Sequence, residues 1–264
     1  MYATLNGVRI SYHDRGQAHA TALLLVHGFP LDHRMWVAQL RGLSTQARVI
    51  APDLRGFGRS EVTPGPLTME QQADDLAALL DHLGIERATV AGLSMGGYIA
   101  FAFWRRHHAR VRALALLDTR AEPDTPQGRA NRDATAAKVR EAGVPAVARD
   151  MLPRLLAPAH LDDTRLTDPL LAIMESQSAA GAIGALAGLR DRADSRAILP
   201  TITVPTLVVV GEQDVLTPPT DAEAMAAGIP NARLVVVPRA GHMSTMENPA
   251  AVNAALRGFL QEIN

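Results

Sequence analysis

The 264-residue chain reads as an α/β protein: a mostly parallel central sheet with helices on both faces and one helical insertion. Three observations predict this. The runs 22–26, 48–52, 88–93, 111–117 and 206–210 are short and nearly continuously apolar, as strands buried on both faces must be. Stretches with helical spacing separate them, and parallel strands need such crossovers. The alternation fails only once, between about residues 120 and 200, where β-branched runs give way to Ala, Leu, Arg and Asp at helical spacing.

Taken in order, the chain opens with strands 2–5 and 8–12 around Asn6-Gly7. That dipeptide is a strong hairpin signal because both turn positions need positive φ. Strand 22–26, a helix over 35–43 and strand 48–52 follow. Thr68 with Gln71 three residues on predicts a capping box for a helix over 68–83. Strand 88–93 then leads into a helix over 98–106, and strand 111–117 closes the first half. In the insertion, Pro123, Pro126, Pro145, Pro153, Pro158 and Pro169 predict several short helices, since proline interrupts helix interiors. Strand 206–210, a helix over 220–227, strand 233–237 and a last helix over 249–263 complete the pattern. The expected organisation is a core of residues 1–119 and 201–264 carrying an insertion of residues 120–200.

The chemistry concentrates at the ends of the strands. Gly92-Leu93-Ser94-Met95-Gly96 lies where a strand turns directly into a helix, the context a nucleophile elbow requires. Flanking glycines let strand and helix approach closely while the serine adopts a strained conformation. A serine nucleophile needs a base, and the base needs an acid. Gly211-Glu212-Gln213-Asp214 follows one later strand and Gly241-His242-Met243 the next; His27-Gly28-Phe29-Pro30 follows an earlier one.

The segment 27–30, the elbow and the order Ser94, Asp214, His242 together resemble the α/β-hydrolase superfamily over essentially the whole chain. The resemblance implies Ser94 as nucleophile, His242 as base and Asp214 as acid. It also implies an oxyanion hole formed by the N–H groups of Phe29 and Met95, and an insertion that caps the site. Asp118, at the end of the sixth strand, is the alternative acid, because some members draw theirs from there. A serine at the elbow argues against chemistry that needs a carboxylate nucleophile.

The motifs His-Gly-Phe-Pro, Asp-Leu-Arg-Gly-Phe-Gly-Arg-Ser (53–60), Gly-Leu-Ser-Met-Gly-Gly and Leu-Leu-Asp-Thr are similar to those of carboxylesterases, cofactor-free haloperoxidases or perhydrolases, and 3-oxoadipate enol-lactonases. The reading favours a carboxylesterase acting on small to medium esters or lactones; enol-lactonases tend to carry a Trp-Phe pair where this chain reads 151–156 Met-Leu-Pro-Arg-Leu-Leu. The pocket is expected from Leu31, Met151, Leu155, Met174, Leu216 and Met243, with an apolar, adaptable ceiling. Some proteins of this fold are ligand receptors, which keeps a non-enzymatic reading open.

Composition narrows the field further. A net charge of −1 gives no electrostatic reason to expect nucleic acid or an anionic membrane. With no cysteine, disulfides are excluded. No signal-peptide pattern or membrane-length apolar run is visible, so a soluble cytoplasmic protein is expected; homo-oligomerisation is left open. Ser94 stands where a dinucleotide loop needs its second glycine, and His27, Asp32 and His33 match no zinc spacing. Neither cofactor nor metal is expected. His27 and the 53–60 loop are assigned structural roles, and the basic cluster 105–110 is assigned to a helix C-terminus, where it complements the dipole.

Overall fold

The computed structural model describes residues 1–263. Its sheet has eight strands in the order β1-β2-β4-β3-β5-β6-β7-β8. β1 (Tyr2–Leu5) and β2 (Val8–Arg15) form the antiparallel hairpin; Asn6 and Gly7 have φ of 49° and 78°, as the turn requires. β2 pairs antiparallel with β4 (Arg48–Pro52). From there β3 (Ala22–Val26), β5 (Ala88–Leu93), β6 (Val111–Leu117), β7 (Thr206–Gly211) and β8 (Ala232–Val237) run parallel.

Alternate side chains of the central strands feed two cores. Leu24, Val26, Val90, Leu114 and Val208 face a layer that includes α2 (Met69–His82), α3 (Met95–His107) and α7 (Pro219–Gly228). Leu23, Leu25, Ala91, Ala115 and Val209 face α1 (Val37–Leu43) and α9 (Pro249–Glu262). Covering both faces explains why these strands read as continuous apolar runs. Thr68 caps α2 by accepting from the Gln71 N–H at 3.1 Å, but the Gln71 Oε1 is buried without a partner. Only the Thr68 half of the expected capping box is therefore evident.

Between β6 and β7 lie α4 (Pro126–Leu155), α5 (Thr164–Glu175) and α6 (Ala179–Arg190). α4 consists of two helical pieces meeting at a kink, in keeping with the several short helices expected here. It is broken at Gly143, whose φ is 77°, and Pro145 falls in the first turn after that break, where a missing N–H is harmless. Pro169 sits inside α5 on the exposed side, leaving the Arg165 carbonyl to solvent. α6 rests directly on the core: a Cβ at Gly181 would lie 1.9 Å from the Gly56 carbonyl oxygen, and one at Gly188 would lie 1.9 Å from that of Leu67. No single helix among the described residues is long and apolar enough to cross a membrane; α5 and α6 pass that test only as a pair bent by 93°.

Candidate active site

The C-terminal ends of β3, β5, β7 and β8 converge, the place where open parallel sheets present ligands. Ser94 leaves β5 with φ 55° and ψ −113°, the left-handed strain expected of an elbow. Nothing larger than glycine fits at positions 92 and 96. A Cβ at Gly92 would lie 2.1 Å from the Gly96 carbonyl oxygen, and one at Gly96 would lie 2.1 Å from that of Val26.

The Ser94 Oγ lies 2.9 Å from His242 Nε2, and His242 Nδ1 lies 2.8 Å from Asp214 Oδ2. A carboxylate can only accept, so Nδ1 carries the hydrogen and Nε2 is left to accept from the serine hydroxyl. The remaining Asp214 lone pairs are also engaged: Oδ1 accepts the N–H of Leu216 and Thr217 at 2.8 and 3.0 Å, and Oδ2 accepts the Thr217 hydroxyl at 2.7 Å. Burial by itself would raise the Asp214 carboxyl, but the His242 charge and these hydrogen bonds outweigh it and hold the group below its usual range.

Asp118, the alternative acid, does not meet His242. Its carboxylate accepts from the Gly211 N–H at 2.8 Å and from the Ser244 hydroxyl. It is wholly buried, and burial together with the nearby Asp214 charge pushes it well above the ordinary carboxylate range. The two buried carboxyls are thus shifted in opposite directions, the one facing the imidazole downward.

Phe29 and Met95 flank Ser94 in the wall of a cavity of about 470 Å³, within the usual size for small-ligand sites. Neither backbone N–H has an acceptor among the described residues. The loop bearing Phe29 is fixed by His27, whose Nδ1 lies 2.9 Å from the Gly28 carbonyl oxygen and whose Nε2 accepts the Leu54 N–H at 3.0 Å. Both ring nitrogens are therefore occupied, and burial lowers the His27 pKa.

Met151, Leu155 and Leu216 line the cavity, joined by Val147, Leu186 and Leu189. Leu31, Met174 and Met243, also expected there, are buried in the core and are not among the residues lining the cavity. The ceiling is not simply apolar either. Asp124, Asn131, Arg132, Lys138, Asp150 and Arg154 line its outer part. Lys138 pairs with Asp150 across the Gly143 break, and Asp124 pairs with Arg132 and Arg192 at 2.9 and 2.6 Å. The part of α4 before the break lines the cavity mainly with polar residues, whereas Val147, Met151 and Leu155 after it are apolar.

Asp32, His33 and Asp53 bring their ligand atoms within 4.8 Å of one another. Asp32 accepts from Arg34 and Gln177, and Asp53 from the His33 N–H and ring and the Arg59 N–H. These bonds tie the loops of the cluster together.

Residues 21–249 match the model of the alpha/beta hydrolase fold family. The chain belongs to this family. Similar hydrolases of known structure include a thermophilic esterase from Thermogutta terrifontis, 42% identical with a TM-score of 0.96 over 100% of this chain and 98% of that one. Another is an enol-lactonase from Burkholderia xenovorans, 32% identical with a TM-score of 0.92 over 99% and 100% of the two chains. The 3-oxoadipate enol-lactonase 2 of Acinetobacter baylyi is 30% identical over 99% of this chain and 96% of its own.

Proposed function

We propose that this alpha/beta hydrolase cleaves small to medium carboxylic esters or lactones through an acyl-enzyme on Ser94. The observation that carries the reading is the continuous hydrogen-bonded line from Ser94 Oγ through His242 to Asp214. His242 Nε2 takes the hydroxyl proton as Ser94 Oγ attacks the substrate carbonyl, and Asp214 stabilises the imidazolium that forms. The Phe29 and Met95 N–H groups receive the developing oxyanion, each such donor contributing about 3 kcal/mol to the transition state. The imidazolium returns its proton to the leaving alkoxide, and His242 then activates water to release the acid. In a lactone the leaving oxygen stays tethered to the acyl group, so one site serves both substrate types. Residues 120–200 act as the cap over this cavity, and the esterase and enol-lactonase relatives support both substrate classes.

A panel of esters graded by acyl length, run with a lactone and a peracid assay, tests the reading. Turnover above about one per minute, abolished in Ser94→Ala, and organophosphate labelling at Ser94 are expected, since ordinary enzymes turn over at about 1 to 1,000 per second. Label at another residue, or binding without turnover, would sink the mechanism in favour of a receptor.

A further inference from the structure

The loop carrying His242 is bonded to the inserted helices by a carboxylate that touches none of the reacting groups. Glu247 ends α8 (Ser244–Glu247), the short turn just after the base, and its side chain has no solvent exposure. Its Oε1 accepts the Gly241 N–H at 2.8 Å; its Oε2 accepts the Ala157 N–H at 2.7 Å and lies 2.8 Å from His160 Nδ1. Gly241 immediately precedes His242, while Ala157 and His160 follow the end of α4. The Met243 N–H, on the other side of the base, donates to the Leu155 carbonyl at 3.0 Å, and the Leu155 side chain lines the cavity. A Cβ at Gly241 would fall 2.6 Å from the Ala157 nitrogen, so the two backbones are in direct contact.

Burying a carboxylate is costly unless donors satisfy it. Here three do, and two are backbone N–H groups whose positions are thereby fixed. We propose that Glu247 is a positioning residue for His242, clamping the base loop to the end of α4 so that the cap helps set the distance between Nε2 and Ser94 Oγ. The kinetic part of this proposal rests on the ester-hydrolase reading; the imidazole signature below does not.

Glu247→Gln keeps the volume but presents one oxygen and one NH2, so an N–H must face either Gly241 or the Ala157 and His160 pair. For a small acetate ester, kcat should fall about tenfold to a hundredfold with KM within about twofold, because only transition-state geometry is disturbed. The downfield proton resonance of the His242 Nδ1–H should shift or broaden, read well below the melting temperature. His160→Ala, at a side chain 25% exposed, removes one arm only and should lower kcat about threefold with the same KM. Wild-type kcat and an unmoved resonance in both variants, with only the melting temperature lowered, would overturn the proposal. If Glu247→Gln does not fold, the same two readouts in His160→Ala decide it. A protein that hydrolyses no ester, yet whose imidazole resonance moves in Glu247→Gln, would refute the hydrolase reading and support the clamp.

Discussion

The floor and the ceiling of the cavity are built on opposite principles. On the floor, Asp214 and His242 are buried, and the carboxylate that orients the imidazole is held by hydrogen bonds from Leu216 and Thr217. On the ceiling, Asp150 and Arg154 are exposed, Lys138 and Thr135 are half-buried, and the supporting helix is broken at Gly143. A hydrogen-bonded floor fixes distances to the few tenths of an ångström that proton transfer needs; a ceiling of solvated side chains on a broken helix can adjust to different substrates. Chemistry should therefore be most sensitive to the floor and to the Glu247 contact that ties it to the end of α4, and substrate choice to the rest of the ceiling.

The largest expected effect is on the floor. Ser94→Ala should lower ester turnover by about 10⁴-fold or more while leaving thermal unfolding nearly unchanged, as for other serine nucleophiles. Next, Asp214→Asn should cost about 10³- to 10⁴-fold in kcat because the amide favours the wrong imidazole tautomer, whereas Asp118→Asn should cost less than about tenfold. The reverse ranking would place the functional acid on β6. A smaller effect is expected above. Met151→Trp should reduce kcat/KM for a hexanoyl ester by about ten- to a hundredfold relative to acetate, the range that pocket volume alone can discriminate. Equal losses for both esters would show that ceiling and floor are not separable.

The smallest effect concerns the loop beneath the inserted helices. Asp53 holds His33 and the Arg59 N–H, and the neighbouring Gly58 N–H donates to Gln177 between α5 and α6 at 2.8 Å. Burial opposes its ionisation, but the hydrogen bond and charge of His33, aided by backbone N–H groups, lower its pKa from 3.8 to about 2. A depressed carboxylate pKa stabilises the fold above the unfolded value and loses that contribution as pH falls through the folded one. Asp53 should thus contribute about 2 kcal/mol at neutral pH, lost between about pH 4 and pH 2. Urea unfolding at a series of acid pH values should show a shallower decline for Asp53→Asn than for the wild type over that window; parallel curves would remove Asp53 from the acid response.

What the sequence revealed follows the same division. The strand runs, the elbow at Ser94 and the placement of Asp214 and His242 just past β7 and β8 are local signals, because a parallel sheet puts each strand's C-terminal end on one side. Leu31, Met174 and Met243 were misplaced because an apolar residue near a site in sequence satisfies the core as well as the pocket, and only packing decides. The break in α4 was legible at Pro145, which suits the first turn of the second helical piece. Met151 and Leu155 were legible as apolar pocket residues, but Asn131, Arg132, Thr135 and Lys138 before the break were not, because hydrophobic periodicity does not mark a polar lining. Glu247 gave no sign at all, since its partners Ala157 and His160 lie 90 and 87 residues away.

The contact between Ser94 and His242 joins residues 148 apart, which ties activity to the order in which the chain can assemble. Trp36 and Trp104, the only two tryptophans, both belong to the first half, beside α1 and in α3. The serine has no base until β7 and β8 have docked beyond β6, after the whole inserted segment has been traversed. Contacts of such long separation form slowly because the intervening loop must close first. Trp104 Nε1 nevertheless donates to Thr201 just before β7, and Trp36 lies in the core shared with α9, so tryptophan fluorescence and hydrolysis should both recover only when the last strands join the sheet.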